Sequence, residues 1–274
     1  MKPANRVLNQ VLQSGMTVMV AMVLGAASFS FAQESVAVRA TLMTGGLPLD
    51  DPNAAAWTSA PPASFPMSPQ VHWKDRIQEV TVKDVSARAL HDGNQVAILV
   101  EYSDPTQDPD DAAALEFMVG DKKAHFAHGQ PMLQVEGGPV NIWFWKNKTN
   151  KAVDMSAKGF GTLKPQEHQD VKAKGVYSNG TWKIVFSRNL STGHAEEDVQ
   201  ITPGEFISIA FAVWDGRKDG GELVEKGSQK AVSSWWYFRA DAPPDYSSYM
   251  YAAMAAALAL GFQFVLIRKL KKGQ

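Results

Sequence analysis

Two side chains, Met132 and Lys230, stand in loops before aromatic strands, where they could bind the iron of a non-covalently held haem. A lysine must lose its proton before it can bind a metal. At a reference pKa of about 10.4 this costs several kcal/mol at neutral pH unless burial and the metal offset it. Loop methionines usually pack and lysines are usually solvated, so these two residues permit a haem site without establishing one.

Four tryptophans favour a second chemistry, the stacking of sugars. Trp143 and Trp145 alternate along one predicted strand, and Trp235 and Trp236 stand together on another. Exposed tryptophans on an exported β-sandwich could form a platform for carbohydrate, although the same residues could instead pack in the core. A carbohydrate-binding module is therefore the alternative to a haem protein.

Other chemistries leave weaker signals. His125 and His128 are three residues apart in a loop, but no convincing third zinc ligand accompanies them. The acidic stretch DPTQDPDD at 104–111 could be a solvated loop or a calcium site, and the lack of an EF-hand register favours the loop. A carboxylate pair for glycoside hydrolysis stays open, because the distances between acids are unknown.

Several classes are excluded by what the chain lacks. It has no nucleophile elbow, P-loop, dinucleotide-binding G-x-G-x-x-G or H-E-x-x-H motif. It also has no cysteine, so it can form no disulfide, hold no iron–sulfur cluster through thiolates and attach no haem through C-x-x-C-H. Any redox centre must be held by His, Met, Lys, Tyr or carboxylate side chains.

Both ends of the chain carry targeting signals. Residues 1–32 have two basic residues and no acid, then an apolar run ending in Ser-Phe-Ala, which predicts a signal peptide cleaved after Ala32, with an uncleaved anchor as the alternative. In the segment 245–274, the uncharged run Met250–Ile267 predicts a transmembrane helix. The tyrosines before it and the basic tail after it predict a cytoplasmic C-terminus.

Residues 33–244 are predicted to form one all-β domain, an antiparallel β-sandwich. At least eight short alternating stretches are separated by turn signals such as Asp92-Gly93 and Asn179-Gly180. The polar stretch Lys151–Lys174 is predicted to be a long insertion. Six of the 27 Lys and Arg residues lie in the two ends, so the domain carries an excess of acidic side chains, which argues against a nucleic-acid partner.

The strands of this domain resemble those of the haem-b-binding γ subunits of ethylbenzene dehydrogenase and dimethylsulfide dehydrogenase. The related subunits of chlorate and selenate reductases and of nitrite oxidoreductase belong to the same group. The resemblance extends from about residue 33 to residue 238. It rests on four segments in the same order, which are PVNIWFWK at 139–146, GTWKIVFSR at 180–188, IAFAVWDG at 209–216 and KAVSSWWY at 230–237.

The resemblance implies a β-sandwich that holds one haem b between its sheets, with a methionine and a lysine as axial ligands of the iron. The lysine that opens KAVSSW is Lys230, with Lys226 as the alternative. The methionine in the loop before PVNIWFW is Met132, with Met118 as the alternative. Three tryptophans are implied as neighbours of the haem: Trp143, Trp145 and Trp214.

The resemblance also implies a role without catalysis. Such γ subunits relay electrons within a complex that contains a molybdenum catalytic subunit and an iron–sulfur β subunit, and here the electrons would pass to or from a cytochrome c or the membrane. The predicted transmembrane helix departs from the soluble members. It favours a complex anchored at the outer, periplasmic face of the cytoplasmic membrane, as in nitrite oxidoreductase or an outward-facing nitrate reductase.

Overall fold

The computed structural model of the chain describes residues 37–70, 77–120, 124, 137–158 and 162–272. The predicted signal peptide, His125, His128 and Met132 lie outside these residues.

The first eight strands are β1 (Ala37–Leu42), β2 (Ala63–Pro66), β3 (Ser68–Pro69), β4 (Asp84–His91), β5 (Gln95–Ser103), β6 (Ala112–Met118), β7 (Val140–Lys146) and β8 (Lys151–Ala157). The others are β9 (Lys164–Pro165), β10 (Lys172–Ser178), β11 (Thr181–Asn189), β12 (Phe206–Trp214), β13 (Lys218–Asp219), β14 (Glu222–Leu223), β15 (Ala231–Val232) and β16 (Trp236–Ala240). A short 3-10 helix covers Ala55–Ser59, and helix α1 covers Ser247–Lys272.

Fourteen of these strands form one sheet that folds back on itself as a β-sandwich, so the predicted fold class is confirmed. The main path runs β10-β11-β5-β4-β1-β16-β12-β6-β7-β8-β9. We call β10, β11, β5 and β4 the first half-sheet, and β16, β12, β6, β7 and β8 the second half-sheet. Strand β1 joins them. It pairs in parallel with β4 and with β16, whereas the other pairings are antiparallel.

The core lies between the two half-sheets. The ring of Trp145 on β7 packs 4.9 Å from that of Trp182 on β11. At the other end, Phe65 of β2 stacks on Phe211 of β12 with ring centroids 4.8 Å apart. Large aromatic side chains each remove 150–250 Å² from water, so these contacts supply much of the apolar burial that closes the sandwich.

Two predicted hairpins are confirmed. Strands β4 and β5 pair around Asp92-Gly93, with Gly93 at a φ of 93°. Strands β10 and β11 pair around Asn179-Gly180, which have φ values of 51° and 74°. Positive φ at both central residues is the requirement of a type I′ turn, which matches the twist of the flanking strands.

The prediction of a long insertion at Lys151–Lys174 is wrong in its first part. Strand β8 occupies Lys151–Ala157 and pairs with β7 along its whole length. Its inward positions include Asp154 and Ser156, which are buried and polar, so the strand lacks the apolar alternation that would have revealed it. Strand β10 occupies the last residues of the same stretch.

Helix α1 matches the predicted transmembrane segment. Tyr249–Lys269 is 21 residues long, with a mean hydropathy of 2.0 and no buried residue. Roughly 20 apolar residues cross a bilayer, so this helix has the length and composition of a membrane span.

Candidate functional site

Alternate residues of the second half-sheet form an apolar surface that points away from the sandwich core. In the register of the sheet Ala112 lies opposite Trp214, and Ala114 lies opposite both Ala212 and Phe144. Side chains directly opposite each other share a face, while their neighbours along the strand point to the other face. We call this surface the apolar outer face, and it consists of Ala112, Ala114, Met118, Ile142, Phe144, Val153, Met155, Ala210, Ala212 and Trp214.

The small alanines of this face let aromatic rings lie close to the sheet. The rings of Phe144 and Trp214 meet edge to face with centroids 5.5 Å apart. The indole nitrogen of Trp214 donates a hydrogen bond to the Gly227 carbonyl at 2.9 Å, which fixes the ring in the loop before β15. The apolar outer face is thus aromatic at the end of β12.

Lys230 lies on this face. It directly precedes β15, and its amine is 4.8 Å from the centre of the Trp214 ring and 3.5 Å from the Gly227 carbonyl. The side chain is half-buried, and burial lowers the pKa of Lys230 to about 8, while the charge of Glu116 acts in the opposite direction. Burial likewise raises the pKa of Glu116 to about 7, against the charge of Lys230. The amine therefore loses its proton far more readily than that of a solvated lysine.

The alternative lysine has a different environment. Lys226 is exposed and pairs with Glu222, four residues earlier in the sequence, at 3.3 Å. An exposed ion pair of this kind contributes about 1 kcal/mol or less. Of the two lysines, only Lys230 is half-buried beside an aromatic ring.

One of the two candidate methionines also lies on the apolar outer face. Met118, the last residue of β6, lies opposite Val140 and two positions beyond Glu116, and it is half-buried. Met132 belongs to the connection between β6 and β7, where it lies outside the described residues. The choice between the two therefore stays a prediction.

Trp143 and Trp145 project to the opposite side of the same strand. Both are fully buried between the half-sheets. The Trp143 ring packs 4.8 Å from Phe117, and its indole donates to Asn141 at 2.9 Å. The structure thus brings Trp214 to Lys230 but places Trp143 and Trp145 behind the sheet. The reason is the period of two along β7, which puts Phe144 on the outer face.

A buried polar network that the sequence does not reveal surrounds Trp143. The Arg188 guanidinium lies 4.9 Å above the Trp143 ring, donates to Asn141 at 3.1 Å and faces Asp198 at 3.7 Å. The amide of Asn141 donates to Asp154 at 2.6 Å. Burial raises the pKa of Asp154 to about 7, and the charge of Asp198 adds to this effect. The network joins β7, β8 and β11 inside the sandwich.

The sequence also fails to reveal two residues of the apolar outer face, Glu116 and Phe144. Glu116 is the one charged residue in the run AAALEFM of β6, and such a charge in an otherwise apolar strand is the signal that could have drawn attention to it. Phe144 stands between two tryptophans, and only the strand register assigns it to the outer face.

Comparison with known proteins shows which proteins the chain is similar to. A family model described as ethylbenzene dehydrogenase matches residues 160–223. A protein of Haloferax mediterranei named as a respiratory nitrate reductase heme subunit, ORF7, is 25% identical over 234 residues, covering 81% of this chain and 80% of that one. The chlorate reductase subunit gamma of Ideonella dechloratans is 29% identical over 203 residues, covering 69% and 78%. The dimethylsulfide dehydrogenase subunit gamma of Rhodovulum sulfidophilum is 26% identical over 200 residues, covering 64% and 72%.

These matches support the resemblance of the chain to this group of γ subunits. The relatives are named as subunits of reductases and of a dehydrogenase, and the present chain has a helix of membrane-spanning length near its C-terminus. Among solved structures, a family 9 carbohydrate-binding module of Caldicellulosiruptor kristjanssonii in complex with glucose aligns with 76% of this chain and 97% of its own. The identity is 9% and the TM-score 0.43.

Proposed function

We propose that this chain acts as a γ subunit that binds one haem b and transfers electrons without performing catalysis itself. The resemblance implies a haem between the sheets, but that space is filled by buried side chains such as Trp145 and Trp182, so we propose the apolar outer face as the haem site instead. The observation that carries the proposal is the amine of Lys230, which is half-buried against Trp214 and has a pKa lowered to about 8. A haem iron supplies one-electron redox chemistry when it is bound. The chain supplies the ligands, the apolar surroundings and the exclusion of water.

Each residue has a distinct part in this proposal. Lys230 is one axial ligand, and Met132 is the other, with Met118 as the alternative. Trp214 and Phe144 line the site, because their rings meet on the same face as Lys230. Trp143 and Trp145, which the resemblance implies as neighbours of the haem, act from behind the sheet by holding β7 in place.

The proposed partners follow from the relatives. One relative is named as a heme subunit of a nitrate reductase, and two are named as gamma subunits of a reductase and a dehydrogenase. We infer a complex with a molybdenum-containing catalytic subunit and an iron–sulfur β subunit, of the nitrite oxidoreductase or nitrate reductase type. Electrons then pass between the iron–sulfur subunit and a cytochrome c or the membrane.

The alternative, an exported carbohydrate-binding module, finds less support in the positions of the tryptophans. Trp143 and Trp145 are fully buried and engaged in core contacts, and Trp236 packs against Phe65 with ring centroids 5.3 Å apart. A stacking platform needs exposed ring faces, which Trp143 and Trp145 do not offer.

A visible spectrum of the full-length protein, purified with its partner subunits, tests the haem proposal. We expect a Soret band and the low-spin pattern of a six-coordinate haem, and extraction should release unmodified haem b because the chain has no cysteine. Absence of a Soret band, both in the purified complex and after reconstitution with haem, would overturn the proposal.

We also propose that α1 anchors the complex to the outer face of the cytoplasmic membrane with the C-terminus inside. The support is the basic cluster after the apolar run, which includes Arg268 and Lys269. Two reporter enzymes are needed, one that is active only in the cytoplasm and one that is active only after export. Fused after Gln274, only the cytoplasmic reporter should be active. Fused near Pro243, only the export-dependent reporter should be active. The reverse pair of results would contradict this topology.

A further inference from the structure

Three buried aspartates meet at one end of the β-sandwich. Asp104 directly follows β5, Asp111 directly precedes β6 and Asp215 directly follows β12. Each is at most 1% exposed, and one carboxylate oxygen of each lies within 4.8 Å of those of the other two. Because β5 belongs to the first half-sheet while β6 and β12 belong to the second, the cluster bridges the two halves. The prediction of a solvated loop at 104–111 thus holds for the exposed residues 105–107 and Pro109 but not for Asp104 and Asp111, which are buried.

Hydrogen bonds hold these carboxylates in place. Asp111 accepts from the Gly216 amide at 2.8 Å, from the Asp108 amide at 2.7 Å and from the Trp182 indole at 3.0 Å. The backbone at Gly216 comes so close that a Cβ there would lie 2.3 Å from the Asp111 nitrogen. Only glycine permits this approach, so Gly216 allows the segment after β12 to contact the segment before β6.

Two buried polar atoms beside the cluster have no hydrogen-bond partner among the described residues. One is the Oδ2 oxygen of Asp104, and the other is the hydroxyl of Tyr102, whose side chain is 3% exposed. Tyr102 lies opposite Trp182 in the pairing of β5 and β11, so it shares the face from which the Trp182 indole reaches Asp111. Buried polar atoms of this kind are normally satisfied, and unsatisfied ones indicate a missing ion or water.

The surrounding charges do not balance the cluster. Glu225 is also buried and accepts from the Asp215 amide at 3.0 Å, which adds a fourth acid. The Arg217 guanidinium lies 3.6 Å from Asp215, but its side chain is 51% exposed. The described part of the chain thus leaves this site short of positive charge.

We propose that Asp104, Asp111 and Asp215 bind a calcium ion, with the Tyr102 hydroxyl beside it. All available donors are oxygen atoms, which suit hard cations and do not favour zinc or copper. Calcium bonds oxygen at about 2.3–2.6 Å, so two ligands on opposite sides of the ion lie at most about 5 Å apart. Oxygens within 4.8 Å of one another meet this limit without rearrangement. The bound ion would fasten the two half-sheets at this end.

Calcium titration of the full-length protein in detergent, after treatment with EDTA, tests the proposal. At about 100 times its Kd, calcium should raise the Tm by about 5–10 °C. Terbium can replace calcium, and it luminesces when a nearby tryptophan absorbs light and transfers energy to it. We expect terbium luminescence here because the Trp182 indole contacts Asp111. Calcium should quench this emission by displacing terbium.

Asp104→Asn is the test variant and Asp110→Asn its control. Asp104 offers a free carboxylate oxygen to the site, whereas Asp110 in the same segment pairs with Lys146 at 2.6 Å. We expect at least about tenfold weaker terbium binding for Asp104→Asn and unchanged binding for Asp110→Asn. Equal effects of the two variants, no terbium binding by the wild type, or equal stabilisation by magnesium would each overturn the assignment to calcium. A higher Tm of Asp104→Asn without any metal effect would show a protonated carboxyl cluster instead.

Discussion

Replacing Lys230 with alanine should remove the six-coordinate low-spin haem spectrum and weaken haem retention by at least about tenfold. Even residues that only support a metal ligand change metal affinity by about 10- to 100-fold, so loss of a ligand should do no less. The reason for choosing Lys230 is its position against Trp214 and its pKa lowered by burial to about 8, which makes the free amine accessible near neutral pH.

Two further variants separate ligand loss from damage to the fold. Lys226→Ala removes an exposed lysine of the same loop, which pairs with Glu222, and should leave the spectrum unchanged. Lys230→Ala also leaves Glu116 buried without its nearby cation, so Lys230→Ala with Glu116→Gln should restore the Tm but not the spectrum. An unchanged spectrum for Lys230→Ala, or a larger change for Lys226→Ala, would refute the assignment.

The methionine ligand is tested in the same way. Met132→Leu and Met118→Leu keep the side-chain volume close to that of methionine, so each should cost little stability. We expect Met132→Leu to alter the low-spin spectrum and Met118→Leu to leave it intact. The opposite result would assign the ligand to Met118, which lies on the apolar outer face with Lys230.

Replacing Arg188 with leucine should lower the free energy of unfolding by about 3–5 kcal/mol, because it leaves buried acids without their cation. Arg188 and Asp198 are both completely buried and lie 3.7 Å apart. The variant also loses the contact of the guanidinium with Trp143. For a domain of this size the corresponding fall in Tm is about 6–20 °C, measured by thermal unfolding of the full-length protein.

The pH dependence of the stability of Arg188→Leu tests whether unpaired buried acids cause its loss of stability. The pKa of Asp154 is raised to about 7, and removing Arg188 takes away a charge that lowers it. Below pH 7 the folded state then binds more protons than the unfolded state, so the variant should regain stability as the pH falls from about 7 toward about 4. Asp198→Asn added to Arg188→Leu should recover part of the loss at neutral pH.

Arg39→Leu is the matched control for a cation at the protein surface. Arg39 forms an ion pair with Asp241 at 3.1 Å, and both side chains are partly exposed. Exposed pairs contribute about 1 kcal/mol or less, so this variant should unfold close to the wild-type temperature at every pH. A similar fall in Tm for Arg39→Leu and Arg188→Leu would contradict the explanation that the burial of Arg188 makes its removal costly.

The strands and turns could be predicted because their signals are local. Asn-Gly favours the positive φ values of a type I′ turn, and Asn179-Gly180 adopts them in the hairpin of β10 and β11. Strand β8 escaped prediction because two of its inward positions, Asp154 and Ser156, are polar. Such a strand is apparent only when the partners that satisfy its buried groups are known.

The position of Lys230 beside Trp214 agrees with the sequence prediction, but the other surroundings of Lys230 could not be predicted. Lys230 follows from the motif that opens β15, and Trp214 follows from a neighbouring motif. Nothing in the sequence favours Phe144 over Trp143 and Trp145 as a neighbour of Lys230. That choice depends on which face of β7 is turned to the core, and the pairing with β6 and β8 decides it.

By itself, then, the sequence determined the β class of the domain, its hairpins and an apolar C-terminal segment, since period-two alternation, turn residues and uncharged length are properties of neighbouring residues. The tertiary structure alone decided which contacts join distant parts of the chain. Arg188 meets Asn141 across 47 residues, and Gly216 meets Asp111 across 105. A charged side chain acts as a buried structural cation or as a metal ligand only when folding removes it from water and places its partners next to it.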